Sequence, residues 1–134
     1  MDKDILEILT LDNAISVDKD NKTHVDYFIF DEFEIHFNMI PPNSVQEWHY
    51  HQNIEETICV ISGQMECSWL ENHKINTKTI YPKQIVRVKQ STHTFSNQNN
   101  KACEFIVFRF VPDKKSKKEI IKNDKTIIEI NDEL

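Results

Sequence analysis

Apolar and polar residues alternate with a period of two along much of the chain. Phe33, Ile35, Phe37 and Met39 alternate with Glu34, His36 and Asn38, the pattern of a strand that turns one face to a core. Pro41-Pro42-Asn43-Ser44 is a turn that ends it. Val45 to His51 reads as the next strand, with Val45, Glu47, His49 and His51 on one face and Gln46, Trp48 and Tyr50 on the other. Trp48 and Tyr50 then fit a surface buried between sheets or subunits. Further short strands are expected at Glu56 to Ile61, Met65 to Leu70, Ile85 to Val88, His93 to Asn97 and Cys103 to Val111. Turn signals separate them at Ser62-Gly63, Asn72-His73, Pro82-Lys83 and Asn97 to Asn100. This layout predicts an all-β, antiparallel sandwich or barrel. Only Ile5 to Leu9 and Lys117 to Lys122 have a helical pattern, and each is too short to form a helical layer.

Composition narrows the class. A chain of 134 residues with 39% hydrophobic and 28% charged residues fits one domain with a single core and lies outside the disordered class. One glycine is few for so many turns, but asparagine tolerates positive φ and substitutes there. The longest apolar runs, Phe105 to Val111 and Ile58 to Ile61, are too short to cross a bilayer, so no membrane association is expected. The start, Met1-Asp2-Lys3-Asp4, lacks the basic region of a secretory signal, and the expectation is a cytoplasmic protein. Cys59, Cys67 and Cys103 show no C-x-x-C spacing and are expected to be reduced and buried. A net charge of −6 argues against nucleic-acid binding, and Lys114 to Lys118 is expected to be a solvated turn.

The chemistry concentrates between Trp48 and Gly63. Residues two apart on a strand project from one face roughly 7 Å apart at the backbone, so His49 and His51 can converge on one ion. A reversal at Gln52 to Ile54 brings the next strand opposite them, and Glu56 heads its core-facing set with Ile58 and Val60. His93 can reach the same point from another strand. Three nitrogens and one oxygen suit Fe, Mn, Co, Ni or Zn better than calcium or magnesium.

These residues resemble the cupins. The first motif of that family runs Gly, five residues, His-x-His, three or four residues, Glu, six residues, Gly. Here it is met by His49, His51, Glu56 and Gly63, with Asn43 where the opening glycine stands. Glu55 also meets the permitted spacing after His51 but not the spacing to Gly63, and ranks second. The second motif is matched at His93 and Asn97, whereas Pro82, Val88 and Gln90 stand where glycine, proline and glycine are usual.

The resemblance covers roughly Phe33 to Val111. It implies a double-stranded β-helix, the cupin jelly-roll barrel, with short flanking segments. It also implies that His49, His51, Glu56 and His93 hold one divalent transition metal. The expected organisation is an N-terminal arm with edge strands over residues 1–32, a barrel over 33–112, and a tail over 113–134 that packs on or near the barrel.

Such arms in the family often cross to a second subunit, so a homodimer is expected. The implied function is a metal-dependent enzyme on a small molecule, of dioxygenase, decarboxylase or isomerase type. The alternatives are a non-catalytic barrel that binds a sugar or small acid, and a nucleotide-sugar isomerase or epimerase.

Around the metal, Glu47 is the candidate general base if burial raises its pKa. Phe95 and Asn97 share the face of His93 and are candidates to contact substrate. Arg109 interrupts an apolar strand, and either binds a substrate carboxylate or pairs with Glu104 or Glu66. Cys67, Met65 and Trp69 share an apolar face, while His24, His36 and His73 read as surface histidines.

Overall fold

Strands form where alternation is strongest. In the computed structural model, which describes residues 5–111 and 125–130, the chain makes two facing antiparallel sheets. The first sheet contains β1 (Ile15–Asp18), β2 (His24–Ile29), β3 (Phe33–Ile40), β6 (Glu55–Ser62), β9 (Ile85–Arg87) and β11 (Cys103–Phe110), in the order β1-β2-β3-β11-β6-β9. The second contains β5 (His49–His51), β7 (Met65–Glu71), β8 (Lys74–Ile80), β10 (His93–Asn97) and β12 (Lys125–Ile127), in the order β12-β5-β10-β7-β8. A two-residue strand, β4 (Ser44–Val45), pairs with the far end of β10. No described helix is long and apolar enough to cross a membrane.

Between the sheets, Ile40, Ile58, Met65, Phe95, Phe105 and Val107 are all at most 2% exposed. Each contributes about 1.5–3 kcal/mol by leaving water, the dominant favourable term. The two ends of this interior differ. Toward Gly63 it is apolar, and toward Glu56 its inner positions carry Glu56, Arg109, Glu34 and His36 on three adjacent strands.

Gly63 sits at φ +75° between β6 and β7, where a Cβ would lie 2.5 Å from the Ala102 carbonyl oxygen, so only glycine fits. Asn43, at the family's opening glycine position, has φ 59°. It is one of several non-glycine residues that take the left-handed turns of this glycine-poor chain.

Several expectations give way. Ile5 to Leu9 is not helical; its side chains are exposed, and a segment this short without a face to bury is not stable as a helix. Lys117 to Lys122 and Lys114 to Lys118 lie outside the described residues. Val45 to His51 is two strands rather than one. Along β10, three steps from His93 to Ser96 face four from His49 to Val45, a one-residue bulge. The bulge is held by Gln46 N donating to the Phe95 carbonyl (2.9 Å) and by Thr94 Oγ1 donating to the Gln46 carbonyl (2.6 Å). It leaves Val45 58% exposed while His49 and His51 stay buried. β8 was not marked by the sequence. It is a mostly exposed edge strand with no apolar face to announce it.

Candidate metal centre

Four ligand atoms, one each from His49, His51, Glu56 and His93, lie within 4.8 Å of one another, and all four residues are at most 3% exposed. The second sheet supplies the imidazoles. His49 and His51 occupy alternate, inward positions of β5, and His93 on β10 lies directly opposite His49, with ring centroids 4.4 Å apart. The first sheet supplies the carboxylate from β6, and Glu56 Oε2 lies 3.0 Å from His51 Nε2.

Hydrogen bonding selects the face that two of the rings present. His49 Nδ1 donates to the Glu47 carbonyl and His93 Nδ1 to the Ser91 carbonyl, both at 3.0 Å. A carbonyl only accepts, so the Nε2 lone pairs face the cluster, as metal-binding imidazoles require. His93 Nε2 is buried without a hydrogen-bond partner among the described residues. Such an orphaned acceptor is costly unless something fills it. Burial, then the neighbouring His93, holds His49 down at about 3, so its ring is neutral and free to donate electrons.

Glu56 behaves oppositely. Burial pushes its pKa up, but Arg109 and His51 outweigh that and keep the carboxylate well below its ordinary range. Arg109 Nε donates to Glu56 Oε2 at 2.7 Å. Buried lone pairs on neutral nitrogens beside one ionised oxygen form a donor set suited to a divalent transition metal.

Strand alternation separates the two candidate carboxylates. Glu56 points inward, while Glu55 on the other face of β6 pairs with Arg87 at 3.3 Å. Arg109 pairs with neither Glu104 nor Glu66. On β11 it lies between Glu34 of β3 and Glu56 of β6, whereas Glu104 accepts from Ser62 Oγ and Glu66 from the Gln98 backbone N–H.

Glu47 accepts from Lys125 Nζ and from Asn21 Nδ2 (2.9 Å). Burial raises its pKa, but the Lys125 bond prevails and takes it down to about 2. The condition for its acting as a general base is therefore not met. Phe95 is buried beside His93 and packs on Phe105, walling the site from below. Asn97 is placed differently from the expectation. It donates to the carbonyls of Ile40 (3.0 Å) and Lys101 (2.8 Å) and accepts from Asn99 N–H (3.0 Å), so its amide closes the turn after β10.

Other expectations change as well. His36 is not a surface residue: it is 1% exposed, bonded to Glu34 and packed edge-on against Tyr27. His24 is flanked by Asp18 (2.7 Å) and Asp26 (3.1 Å), whereas His73 is an exposed turn residue. Cys67 and Cys103 are buried, with thiols pushed up to about 11, but Cys59 is only half-buried.

Two lysines escaped the sequence reading. Lys19, just after β1, and Lys125, at the start of β12, line one cavity with His49, Glu56 and Arg109. No local spacing announces them, because β12 reaches β5 from the far end of the chain.

No protein-family model and no curated protein matches the sequence. Solved structures do match. The oxalate decarboxylase of Lactobacillus farciminis, solved as a formate complex, gives a TM-score of 0.71 at 13% identity over 95% of this chain and 38% of that chain. A sugar phosphate isomerase of the cupin superfamily from Silicibacter pomeroyi gives 0.63 at 15% identity, over 78% of this chain and 75% of that chain. The chain has the cupin fold. The capsular polysaccharide assembling protein CapF from Staphylococcus aureus gives 0.68 at 16% identity over 87% of this chain. This chain spans only 34% of CapF's length, and at such identities the likeness concerns the fold.

Proposed function

We propose that this chain is a metal-dependent cupin enzyme acting on a small molecule that offers oxygen atoms to the metal. The reading is carried by the buried cluster of His49, His51, Glu56 and His93, in which His93 Nε2 has no hydrogen-bond partner among the described residues. When bound, iron, manganese, cobalt, nickel or zinc supplies a Lewis acid or redox centre with positions left open for substrate oxygen.

The chain's own residues do the rest. The Glu47 and Ser91 carbonyls hold two rings in one orientation, and Arg109 keeps Glu56 ionised and in place. Phe95 and Phe105 exclude water from beneath the site. The decarboxylase and the isomerase that share the fold leave both reaction classes within the proposal. A homodimer belongs to it too, supported by the aromatic side chains Phe28, Phe37 and Phe108 on the outer face of the first sheet.

Elemental analysis of protein purified without an affinity tag is the test. About one transition metal per chain is expected, and His51→Ala is expected to lose it while the far-ultraviolet circular dichroism of the barrel persists. Metal-free wild-type protein that takes up none on dialysis would sink the reading. A second reading, a barrel that binds a small acid without transforming it, is favoured by the depressed pKa of Glu47. It predicts bound ligand recovered unchanged from metal-loaded protein.

A further inference from the structure

Two cavities that touch the four-residue cluster differ greatly in size. The one lined by His49 and Glu56 holds about 20 Å³, room for roughly one water molecule. The other meets His93 and holds about 600 Å³, within the range of small-molecule sites. It opens between β8 and β9, which are the free edges of the two sheets. A substrate larger than water therefore has space on the β8 and β9 side.

This cleft is graded from apolar to basic. Its inner end is formed by His93, Cys67 and Val88, all at most 5% exposed. Trp69 lies directly opposite His93 in the pairing of β7 with β10, and half-buried Trp69 and Val86 pack on the core while lining the cleft. Lys78, Arg87 and Lys89 stand exposed at the rim. Arg87 pairs with Glu55 (3.3 Å), and Glu71 lies opposite Lys74 and accepts from the Trp69 indole N–H (3.4 Å). The Lys78 and Lys89 ammonium groups have no hydrogen-bond or ion-pair partner among the described residues. Apolar walls with free cations at the mouth complement a molecule with an apolar body and an anionic end.

We propose that this cleft is the substrate site of the metal centre and takes a small aromatic acid, with its oxygen-bearing end directed past His93 to the metal, its ring against Trp69 and Val86, and its carboxylate at Lys78 and Lys89. The inference rests on the reading of the four-residue cluster as a metal centre and names the substrate class for it. The ring supplies most of the selectivity, because it leaves water against apolar walls and packs on an indole. The two lysines are solvated, so they add less and their share is screened by salt.

Calorimetry on the zinc-loaded full chain tests this with three hydroxamates that share one zinc-binding head: acetohydroxamate, benzohydroxamate and 4-carboxybenzohydroxamate. Benzohydroxamate is expected to bind about tenfold more tightly than acetohydroxamate, the effect of burying the ring. The added carboxylate is expected to contribute a further gain of about threefold that disappears at high salt. Trp69→Leu is expected to weaken benzohydroxamate about fivefold, with acetohydroxamate affinity and zinc content unchanged. Lys78→Glu, at an exposed position, is expected to abolish only the gain from the carboxylate.

Equal affinities of acetohydroxamate and benzohydroxamate for the zinc-loaded wild type overturn the proposal while the metal-centre reading stands. So does a Trp69→Leu variant that keeps its zinc and the full advantage of the ring. A carboxylate that brings no gain overturns the part assigned to Lys78 and Lys89. Failure of the wild-type chain to take up zinc is a separate result, which overturns the metal-centre reading and this inference with it.

Discussion

The two sheets hold their shares of the site by different means. In the second sheet, His49 and His93 each donate Nδ1–H to the backbone carbonyl two residues earlier, so the strand itself sets both rings. In the first sheet, Glu56 is set by another side chain, Arg109, which must arrive from β11 in register between Glu34 and Glu56. Neutral ligands need only orientation, which nearby backbone supplies. A buried charged ligand also needs a counter-charge, and that has to be brought from elsewhere in the chain.

The sharpest test of this contrast replaces the carboxylates one at a time. Glu56→Gln removes the only charged ligand and leaves Arg109 facing a neutral amide, so metal content is expected to fall to near zero. Glu55→Gln, on the other face of β6, is expected to keep full metal content. Elemental analysis of both variants decides, and loss of metal from the Glu55 variant alone would reverse the assignment.

Next in size is Arg109, which touches the candidate ligand set through Glu56. Arg109→Met leaves a buried carboxylate without its cation, at a cost of about 3 kcal/mol of folding stability. Losing the group that orients a ligand is expected to weaken metal binding about 10- to 100-fold. Arg109→Lys restores the charge without the fork geometry, so it is expected to recover stability more than affinity. Competition with a chelator reads the affinity and urea unfolding reads the stability. If the Met variant binds metal as tightly as wild type, Glu56 is positioned by something else.

What was legible in the sequence follows the same division. His49, His51 and Glu56 lie within a few residues of each other on strands that alternate cleanly, and the glycine requirement at Gly63 is a local steric fact. The partner of Arg109 depends on the registers of β3, β11 and β6, which no local pattern encodes. His36 was misplaced because an inward histidine looks like an outward one until the inner face at that end proves polar. The role expected of Glu47 fails for a distant reason, its bond to Lys125 from the other end of the chain. The bulge that turns Val45 outward is held by the Gln46 and Thr94 hydrogen bonds, and neither is visible in the residue pattern.

The smallest expected effect separates imidazoles from carboxylates by pH. In chelator-treated protein, burial, followed by His93, lowers His49 from 6.5 in the unfolded chain to about 3 in the fold. Between those values the unfolded chain holds a proton that the native protein refuses, so stability must fall as pH drops from 6.5 toward 3. Buried His93 shifts in the same direction, and so does His36 from the first sheet. Glu56, lowered from 4.5, adds its own loss only once pH falls below 4.5. The urea midpoint is therefore expected to decline already between pH 7 and 5, before carboxylates titrate. His49→Gln removes one of these protons, and the slope should become shallower by at most about 1.4 kcal/mol per pH unit. A midpoint that stays level down to pH 5 would mean that the imidazoles are not held neutral in the metal-free fold, and the contrast between the two sheets would lose its electrostatic basis.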